Sequence, residues 1–114
     1  MRGIVSLLKQ SKIFSEIKVI EFVDEDTVQL LRIKATVNDG SILYVTELQT
    51  SSHQKYSYHW QKENGDILIR WDNSPHYKNL KTFPHHFHES GNIKPSHRIT
   101  IEEVIEKIRR RIGR

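Results

Sequence analysis

Apolar and polar residues alternate with a period of two over most of residues 17–72, where β-branched and aromatic side chains are common. This pattern predicts strands that turn one face toward a core and the other toward solvent. The first strand covers residues 17–23. Residues 28–37 and 42–49 flank Asp39-Gly40, and residues 52–62 and 66–72 flank Asn64-Gly65. Both dipeptides tolerate the positive φ of a type I′ turn. The segment therefore predicts an antiparallel meander of about five strands.

Two helices are expected to flank this sheet. Residues 1–16 contain closely spaced apolar side chains between Ile4 and Leu8, which favours a short N-terminal helix. Near the other end, Thr100 and Glu103 have the spacing of a capping box. Apolar residues then recur at helical spacing through residues 100–113: Ile101, Val104, Ile105, Ile108 and Ile112. We expect one α+β domain over residues 1–114, with its sheet in residues 17–73 and the amphipathic C-terminal helix packed on one face.

Residues 74–99 interrupt the alternation and contain all three prolines of the chain. Five of the seven histidines lie between residues 76 and 97. Long irregular segments in compact domains are often functional, and histidine both transfers protons near neutral pH and binds metals. We therefore predict a long loop with four candidate site residues: His76, His85, His86 and His88. Isolated histidines such as His53 and His97 are interpreted as surface or packing residues.

The composition narrows the classes of chemistry. The chain has no cysteine, which excludes disulfide scaffolds, thiol nucleophiles, cysteine-ligated zinc and iron–sulfur clusters. Eighteen Lys and Arg residues against fourteen Asp and Glu residues give a net charge of +4, which permits a polyanionic partner such as RNA. No apolar run approaches the ~20 residues that span a bilayer. We expect a cytoplasmic protein with no membrane partner.

Counting outward from a two-residue turn at Asn64-Gly65 predicts the register of the second hairpin. One face of that hairpin carries aromatic and apolar pairs, with Tyr58 opposite Trp71 and Trp60 opposite Ile69. An aromatic and apolar face of this kind is typical of the side of a sheet that packs on the core.

The other face of the same hairpin is polar. His59 is expected opposite Arg70, and Ser57 opposite Asp72, which brings an imidazole, a guanidinium and a carboxylate within cross-strand reach. An ordinary solvated charge pair is the alternative interpretation of such a face. The same counting predicts a simple ion pair at the first hairpin: Arg32 with Glu47.

Metal-free cleavage of RNA is one chemistry that these residues fit. It needs a group that accepts the 2′-hydroxyl proton, a second that protonates the leaving oxygen, and a cation for the phosphate. His59 and one of the four loop histidines would exchange the protons, Arg70 would hold the phosphate, and Asp72 would orient a histidine or Arg70. Aromatic candidates for stacking on unpaired bases are Tyr56, Tyr77 and Phe87.

A site for zinc or a similar divalent metal is the alternative use of the same histidines. His85, His86 and His88, together with His76, would supply imidazole ligands. Their spacing is a weaker signal than a His-Glu-x-x-His motif, because adjacent histidines on an extended segment point apart. The first chemistry uses no cofactor, whereas this one depends on the metal.

Three segments in combination resemble one protein family. Residues 56–61 read Tyr-Ser-Tyr-His-Trp-Gln, residues 70–76 read Arg-Trp-Asp-Asn-Ser-Pro-His, and residues 82–88 read Thr-Phe-Pro-His-His-Phe-His. The combination is similar to the TumE-type toxin family of prokaryotic toxin–antitoxin modules. The resemblance is strongest between residues 56 and 88 and extends from about residue 17 to the C-terminal helix. It implies a growth-inhibiting toxin that a cognate helix-turn-helix antitoxin binds and silences.

The leading hypothesis from the sequence is a toxin that acts on RNA as a metal-independent endoribonuclease. The basic residues 109–111 would add phosphate contacts. The alternative is a non-catalytic binding or regulatory protein whose histidine-rich loop is stabilised by a metal. A meander leaves at least one free edge, so strand pairing in a homodimer or with an antitoxin segment is also expected.

Overall fold

A computed structural model describes residues 3–113 of the chain. The strands of its single described sheet lie in the order in which they occur in the sequence, each antiparallel to the next. The elements are α1 (Ile4–Ser11), β1 (Phe14–Asp24), β2 (Val28–Val37), β3 (Ile42–Thr50), β4 (Gln54–Gln61), β5 (Ile67–Asp72), β6 (His86–Glu89), β7 (Asn92–Pro95) and α2 (Ile101–Ile112). The expected α+β class, with an antiparallel meander and a helix at each end, is confirmed.

The predicted count of five strands is wrong, because the described sheet has seven. The additional strands, β6 and β7, lie inside residues 74–99, which the sequence analysis assigns to a loop. A tight turn at Ser90 and Gly91 joins them, with positive φ at both residues. Two consecutive positive φ values are the property of a type I′ turn. The alternation of apolar residues does not reveal this hairpin, because both of its strands are short and mostly polar.

The two turns predicted as type I′ have a different geometry. Each hairpin loop has three residues and ends in a glycine with positive φ, 93° at Gly40 and 98° at Gly65. The Gly40 N–H donates to the carbonyl of Val37 over 2.9 Å, and the Gly65 N–H donates to that of Lys62 over 3.0 Å. A three-residue loop that closes on a left-handed glycine is the next most common hairpin type. It adds one residue to each predicted loop.

In the first hairpin, the extra loop residue shifts the pairing of β2 with β3 by one position. Arg32 lies opposite Thr46 rather than Glu47, so the predicted ion pair between Arg32 and Glu47 is wrong. The guanidinium of Arg32 instead approaches Glu21 of β1, with 3.7 Å between Nε and Oε1. The Glu47 carboxylate accepts a hydrogen bond from the Tyr58 hydroxyl on the apolar side of the sheet.

In the second hairpin, a β-bulge cancels the effect of the extra loop residue. Gln61 pairs with Ile67, whereas a two-residue turn would pair it with Leu68. The pairing then passes over Leu68, and Trp60 lies opposite Ile69. Beyond the bulge the predicted register is confirmed for four pairs: Trp60–Ile69, Tyr58–Trp71, His59–Arg70 and Ser57–Asp72.

Both helices pack on the apolar face of the sheet. The predicted capping box opens α2: Thr100 Oγ1 accepts a hydrogen bond from the Glu103 N–H, and the Glu103 carboxylate accepts one from the Thr100 N–H. Val104 and Ile108 of α2 are completely buried. They form one core with side chains of α1 and of the central strands: Leu8, Ile33, Leu43, Val45, Trp60 and Ile69. The helices therefore leave the opposite face of the sheet free for polar groups.

The two edges of the sheet differ in length and character. β1 is an edge strand of 11 residues with three large apolar side chains that are at least half exposed: Val19, Ile20 and Phe22. β7, at the other edge, has four residues and ends at Pro95. An exposed apolar edge is a template for pairing with another chain, and β1 has this property. Within residues 3–113, no helix is both long and apolar enough to cross a membrane.

Truncation of Ile108 to Ala should lower the free energy of unfolding by about 2–4 kcal/mol, because a completely buried side chain leaves a cavity between α2 and the sheet. Urea unfolding measures the change. Ile67→Ala, at a position that is 54% exposed, is the matched control and should cost less than about 1 kcal/mol. Equal losses for the two variants would contradict the packing of α2 on the sheet.

Candidate active site on the polar face of the sheet

Three adjacent strands present polar side chains on the face that the helices leave uncovered, which we call the polar face. His59 of β4 lies opposite Arg70 of β5, which in turn lies opposite His88 of β6. One row further along, Asp72 lies opposite His86. Residues two apart in a strand share a face, so all five side chains project from the same side. The structure thus brings together five of the seven residues predicted for the site.

The carboxylate of Asp72, whose side chain is only 4% exposed, lies at the centre of this group. Oδ1 accepts a hydrogen bond of 2.9 Å from the Ser74 N–H and lies 3.0 Å from Nε2 of His86. Oδ2 accepts a hydrogen bond of 3.1 Å from Nε of Arg70 and lies 3.5 Å from Nε2 of His88. We call these contacting residues the Asp72 cluster: Arg70, Asp72, His86 and His88.

The electrostatics of the cluster keep Asp72 ionised. Burial raises the pKa of this carboxyl, but the Ser74 N–H and the neighbouring charges of His86 and Arg70 outweigh burial, and the pKa lies below its ordinary value. Asp72 is therefore a carboxylate at neutral pH. A buried carboxylate without cationic or hydrogen-bonding partners destabilises a fold. The charge of Asp72 therefore favours the arrangement in which such groups surround it.

His59 joins the cluster through Arg70. Its Nδ1 lies 3.2 Å from Nη1 of Arg70, and its Nε2 lies 3.1 Å from Oε1 of Gln61. A guanidinium only donates hydrogen bonds, so Nδ1 accepts and the ring proton is on Nε2. Burial lowers the pKa of His59, and the positive charge of Arg70 lowers it further. The imidazole is therefore neutral at pH 7, which is the state that a proton acceptor needs.

The segment between β5 and β6 covers one end of the Asp72 cluster. The ring of Tyr77 meets His86 edge-on at 4.8 Å and His88 at 5.9 Å, between ring centres. The side chain of His86 is 1% exposed, whereas that of His88 is 29% exposed. Burial lowers the pKa of His88 below its ordinary value, and the charge of Asp72 offsets only part of this effect. Of the two imidazoles, His88 is the one that a substrate can reach.

The two other candidate histidines lie apart from the Asp72 cluster. His85 faces the apolar side of the sheet, where its Nδ1 is 2.9 Å from the hydroxyl of Tyr56. It points away from His86 because successive residues of an extended chain alternate in direction. His76 is exposed and approaches the edge of the Tyr77 ring at 6.4 Å.

The metal-donor set of the structure differs from the four histidines predicted from the sequence. Donor atoms of Asp72, His86 and His88 all lie within 4.8 Å of one another. Among the described residues, this set includes a carboxylate and leaves out His76 and His85. The set of four imidazoles is therefore not assembled, and two imidazoles with one carboxylate take its place.

Two of the three aromatic residues predicted to stack on bases face away from the polar face. Tyr56 is 4% exposed within the apolar core, where burial raises its pKa to about 12. Phe87 pairs with Trp71 on the same apolar face. Tyr77 alone of the three borders the Asp72 cluster. The arginines at 109–111 lie on α2, where they contact Ser11, Glu106 and Glu89, so they stand on the helical side of the sheet and not on the polar face.

The register also extends the site across the sheet, which the two-residue turn predicted at Asp39-Gly40 does not indicate. One cross-strand row on the polar face, which we call the basic row, runs from β1 to β6: Lys18, Lys34, Tyr44, His59, Arg70 and His88. The ring centre of Tyr44 is 6.3 Å from that of His59. The pairing of Lys34 with Tyr44 follows from the three-residue loop at Gly40. A two-residue turn at the same place would pair Lys34 with a different residue, so the predicted turn does not reveal this row.

Replacement of Asp72 by Asn should lower the free energy of unfolding by about 1–3 kcal/mol at pH 7, because the amide lacks the charge that Arg70 and His86 face. Chemical denaturation measures the loss. Asp24→Asn, at an exposed position of β1, is the matched control and should change stability by less than about 0.5 kcal/mol. A variant at Asp72 as stable as the wild type would show that the carboxylate does not organise this face.

Comparison with known proteins identifies the family. The family model described as Toxin TumE matches residues 4–112. This range contains every helix and strand described above, with the whole of the Asp72 cluster and the basic row. No curated protein and no solved structure matches the chain. The match spans nearly the full length and confirms the resemblance seen in residues 56–88, so the chain belongs to the TumE toxin family.

Proposed function

We propose that this toxin acts on RNA as an endoribonuclease and that the cleavage step uses protein side chains without a metal cofactor. Family membership makes the chain a toxin component of a toxin–antitoxin module. The observation that carries the proposal is the order of three side chains in the basic row. His59 and His88 lie on the two strands that flank Arg70, one on each side of it.

This order suits transfer at a phosphate. In an in-line displacement, the attacking and leaving oxygens lie on opposite sides of the phosphorus. A phosphate held by Arg70 would therefore have a proton acceptor on one side and a proton donor on the other. Arg70 would neutralise charge that develops on the non-bridging oxygens.

The proposed reaction is transesterification within the RNA strand. Nδ1 of His59 accepts the proton of a 2′-hydroxyl as its oxygen attacks the adjacent phosphorus. The bond from phosphorus to the 5′ oxygen breaks, and protonated His88 gives that oxygen a proton. The products are a 2′,3′-cyclic phosphate and a 5′-hydroxyl. Asp72, 3.5 Å from Nε2 of His88, stabilises the protonated donor.

In the protein without substrate, Arg70 is hydrogen-bonded to the nitrogen of His59 that must accept the proton. Its Nη1 donates to Nδ1 of His59 over 3.2 Å. A phosphate dianion or diester oxygen competes for the same guanidinium, because charged acceptors form stronger hydrogen bonds than a neutral ring nitrogen. The side chain of Arg70 is 37% exposed and therefore accessible to that competitor. Substrate binding would then free the lone pair of His59.

The remainder of the basic row supports an RNA substrate. Adjacent strands are about 4.8 Å apart, so the row extends for roughly 24 Å from β1 to β6. The ammonium groups of Lys18 and Lys34 suit phosphates on one flank of the cleavage site. Between them and His59, the half-buried ring of Tyr44 suits stacking on an unpaired base.

Substitution of His59 or of Arg70 by Ala should each reduce RNA cleavage at least 100-fold and abolish growth arrest, because proton transfer or phosphate binding is lost. Cleavage of total RNA and of purified tRNA, with and without EDTA, measures the first effect, and growth after induction measures the second. Circular dichroism verifies folding. His53→Ala, at an exposed histidine before β4, is the matched control and should retain full activity.

Each outcome of these assays bears on the proposal. Discrete products that persist in EDTA and vanish in the His59 variant would support it. Products that vanish in EDTA would contradict the metal-free step. Intact RNA in every lane, with growth arrest retained in both variants, would favour the alternative of a non-catalytic binding protein.

The pH profile provides a separate prediction. Because burial and Arg70 lower the pKa of His59, the neutral base persists to a pH below the ordinary histidine value of 6.5. As the pH is lowered, the kcat/KM for a short RNA should therefore stay constant through pH 6.5. It should fall only when the pH reaches the lowered pKa of His59. A pH series on both sides of 6.5 measures it. An acid limb centred above 6.5 would exclude His59 as the base.

The proposed antitoxin partner binds away from the polar face. The toxin family implies an antitoxin partner, and we propose that it is a helix-turn-helix protein that covers the free apolar edge of β1. That edge is nearly three times as long as the edge at β7 and carries the exposed side chains of Val19, Ile20 and Phe22. We also propose that a homodimer can pair through the same edge and that the protein is located in the cytoplasm.

A further inference from the structure

The imidazole of His86 lacks a partner at one of its two nitrogens. Its Nδ1 is 2.9 Å from the carbonyl oxygen of Pro84. A carbonyl only accepts, so Nδ1 carries a proton, and Nε2 is the nitrogen left to bind a second proton or a metal ion. Within residues 3–113, Nε2 of His86 is the one buried side-chain nitrogen or oxygen without a hydrogen bond. It faces Oδ1 of Asp72 at 3.0 Å.

A buried imidazole nitrogen that faces a carboxylate oxygen is stable only when a proton or a metal ion lies between the two atoms. A metal ion satisfies both atoms at once. Ligand atoms at about 2.0–2.2 Å from a zinc ion lie roughly 3.3–3.6 Å apart in tetrahedral geometry. The separation of 3.0 Å between His86 and Asp72 is close to that range, and the Nε2 of His88 belongs to the same group of donors within 4.8 Å.

The surroundings of these donors have the features of a prepared metal site. The Pro84 carbonyl holds the tautomer of His86 in which Nε2 is free to bind. The Ser74 N–H fixes the carboxylate of Asp72. Such second-layer hydrogen bonds orient ligands and are typical of metal centres in proteins. All three donors stand on paired strands, since Asp72 lies opposite His86.

We propose that Asp72, His86 and His88 form a binding site for one divalent transition-metal ion of the Zn²⁺ class. Two imidazole nitrogens and one carboxylate oxygen are the donors that zinc, cobalt and nickel prefer, whereas Mg²⁺ and Ca²⁺ prefer oxygen alone. Three protein ligands leave a fourth position for solvent. The guanidinium of Arg70 on Oδ2 of Asp72 weakens the affinity through its positive charge, but its exposure allows it to turn away.

The metal would act as an inhibitor of the proposed cleavage, and this part of the inference rests on the proposed function. A metal ion on Nε2 of His88 occupies the lone pair that must carry a proton to the leaving oxygen. It also neutralises Asp72. The same three side chains therefore serve either proton transfer or metal binding, and the concentration of free Zn²⁺ would set which of the two prevails.

Titration of the full-length protein with Co²⁺ and Zn²⁺ tests the site directly. We expect one ion per chain by isothermal titration calorimetry, a visible absorption band from bound Co²⁺ that Zn²⁺ removes, and no binding of Mg²⁺. X-ray absorption of the zinc-loaded protein should count two imidazole ligands. His88→Ala should weaken binding at least about 10-fold, and His86→Gln should do the same in protein shown to be folded by circular dichroism.

Two control variants distinguish this site from adventitious binding at surface histidines. His53→Ala and His97→Ala should bind the ions as the wild type does, although His97 forms an exposed pair with Glu103. Absence of stoichiometric binding, or binding that persists unchanged in the His88 variant, would overturn the proposal. The contact of His86 with Asp72 would then be an ion pair of a doubly protonated imidazole.

The inhibitory role is measured with the RNA assay. One equivalent of Zn²⁺ should reduce cleavage by the wild type at least about 10-fold, and EDTA should restore it. Stoichiometric Zn²⁺ binding by a protein that cleaves no RNA would support the metal site and contradict the proposed function. Cleavage by a protein that binds no Zn²⁺ would support the proposed function and contradict the metal site. The failure of one proposal is therefore distinguishable from the failure of the other.

Discussion

The carboxylate of Asp72 is almost completely withdrawn from water, and most of the polar face is arranged to compensate its charge. Arg70 reaches it from the same strand, the Ser74 N–H from the following segment, and two imidazoles from β6. A buried anion without such partners destabilises a fold by several kcal/mol. Asp72 therefore does more than take part in a site. Its contacts with His86 and His88 add to the backbone pairing and the packing of Phe87 that hold β6 beside β5.

The apolar face supplies the rigidity that this arrangement requires. His59 and Arg70 stand on central strands, and the alternate residues Tyr58, Trp60 and Trp71 are buried under the helices. Side chains on packed strands are held in position more closely than side chains on loops. The sequence pattern places the functional histidines on a long loop, whereas in the structure His86 and His88 also stand on a strand. The whole Asp72 cluster is thus part of one hydrogen-bonded sheet.

The sequence predicts the central hairpin better than its turn. At Gly65, the extra loop residue and the bulge at Leu68 shift the pairing by one position in opposite directions, so the predicted pairing of His59 with Arg70 is confirmed. At Gly40 no bulge follows, and the predicted ion pair of Arg32 fails. Alternation also predicts the core face, and the helical spacing of apolar residues predicts both helices. Neither pattern predicts β6 and β7: β6 is held by its pairing with β5 and by the contacts of His86 and His88 with Asp72, and β7 is held by its pairing with β6.

The proposed proton donor and the proposed metal ligand are the same imidazole, and this follows from what a buried carboxylate does to its neighbours. The carboxylate of Asp72 favours positive charge at Nε2 of His88, and either a proton or a metal ion would supply it. When the bound cation is a proton, His88 can transfer it to the leaving oxygen. A metal ion held jointly with the buried His86 does not leave so readily, because three ligands bind it at once. A site that stabilises a transferable proton in the proposed reaction would therefore also bind the ion proposed to inhibit it.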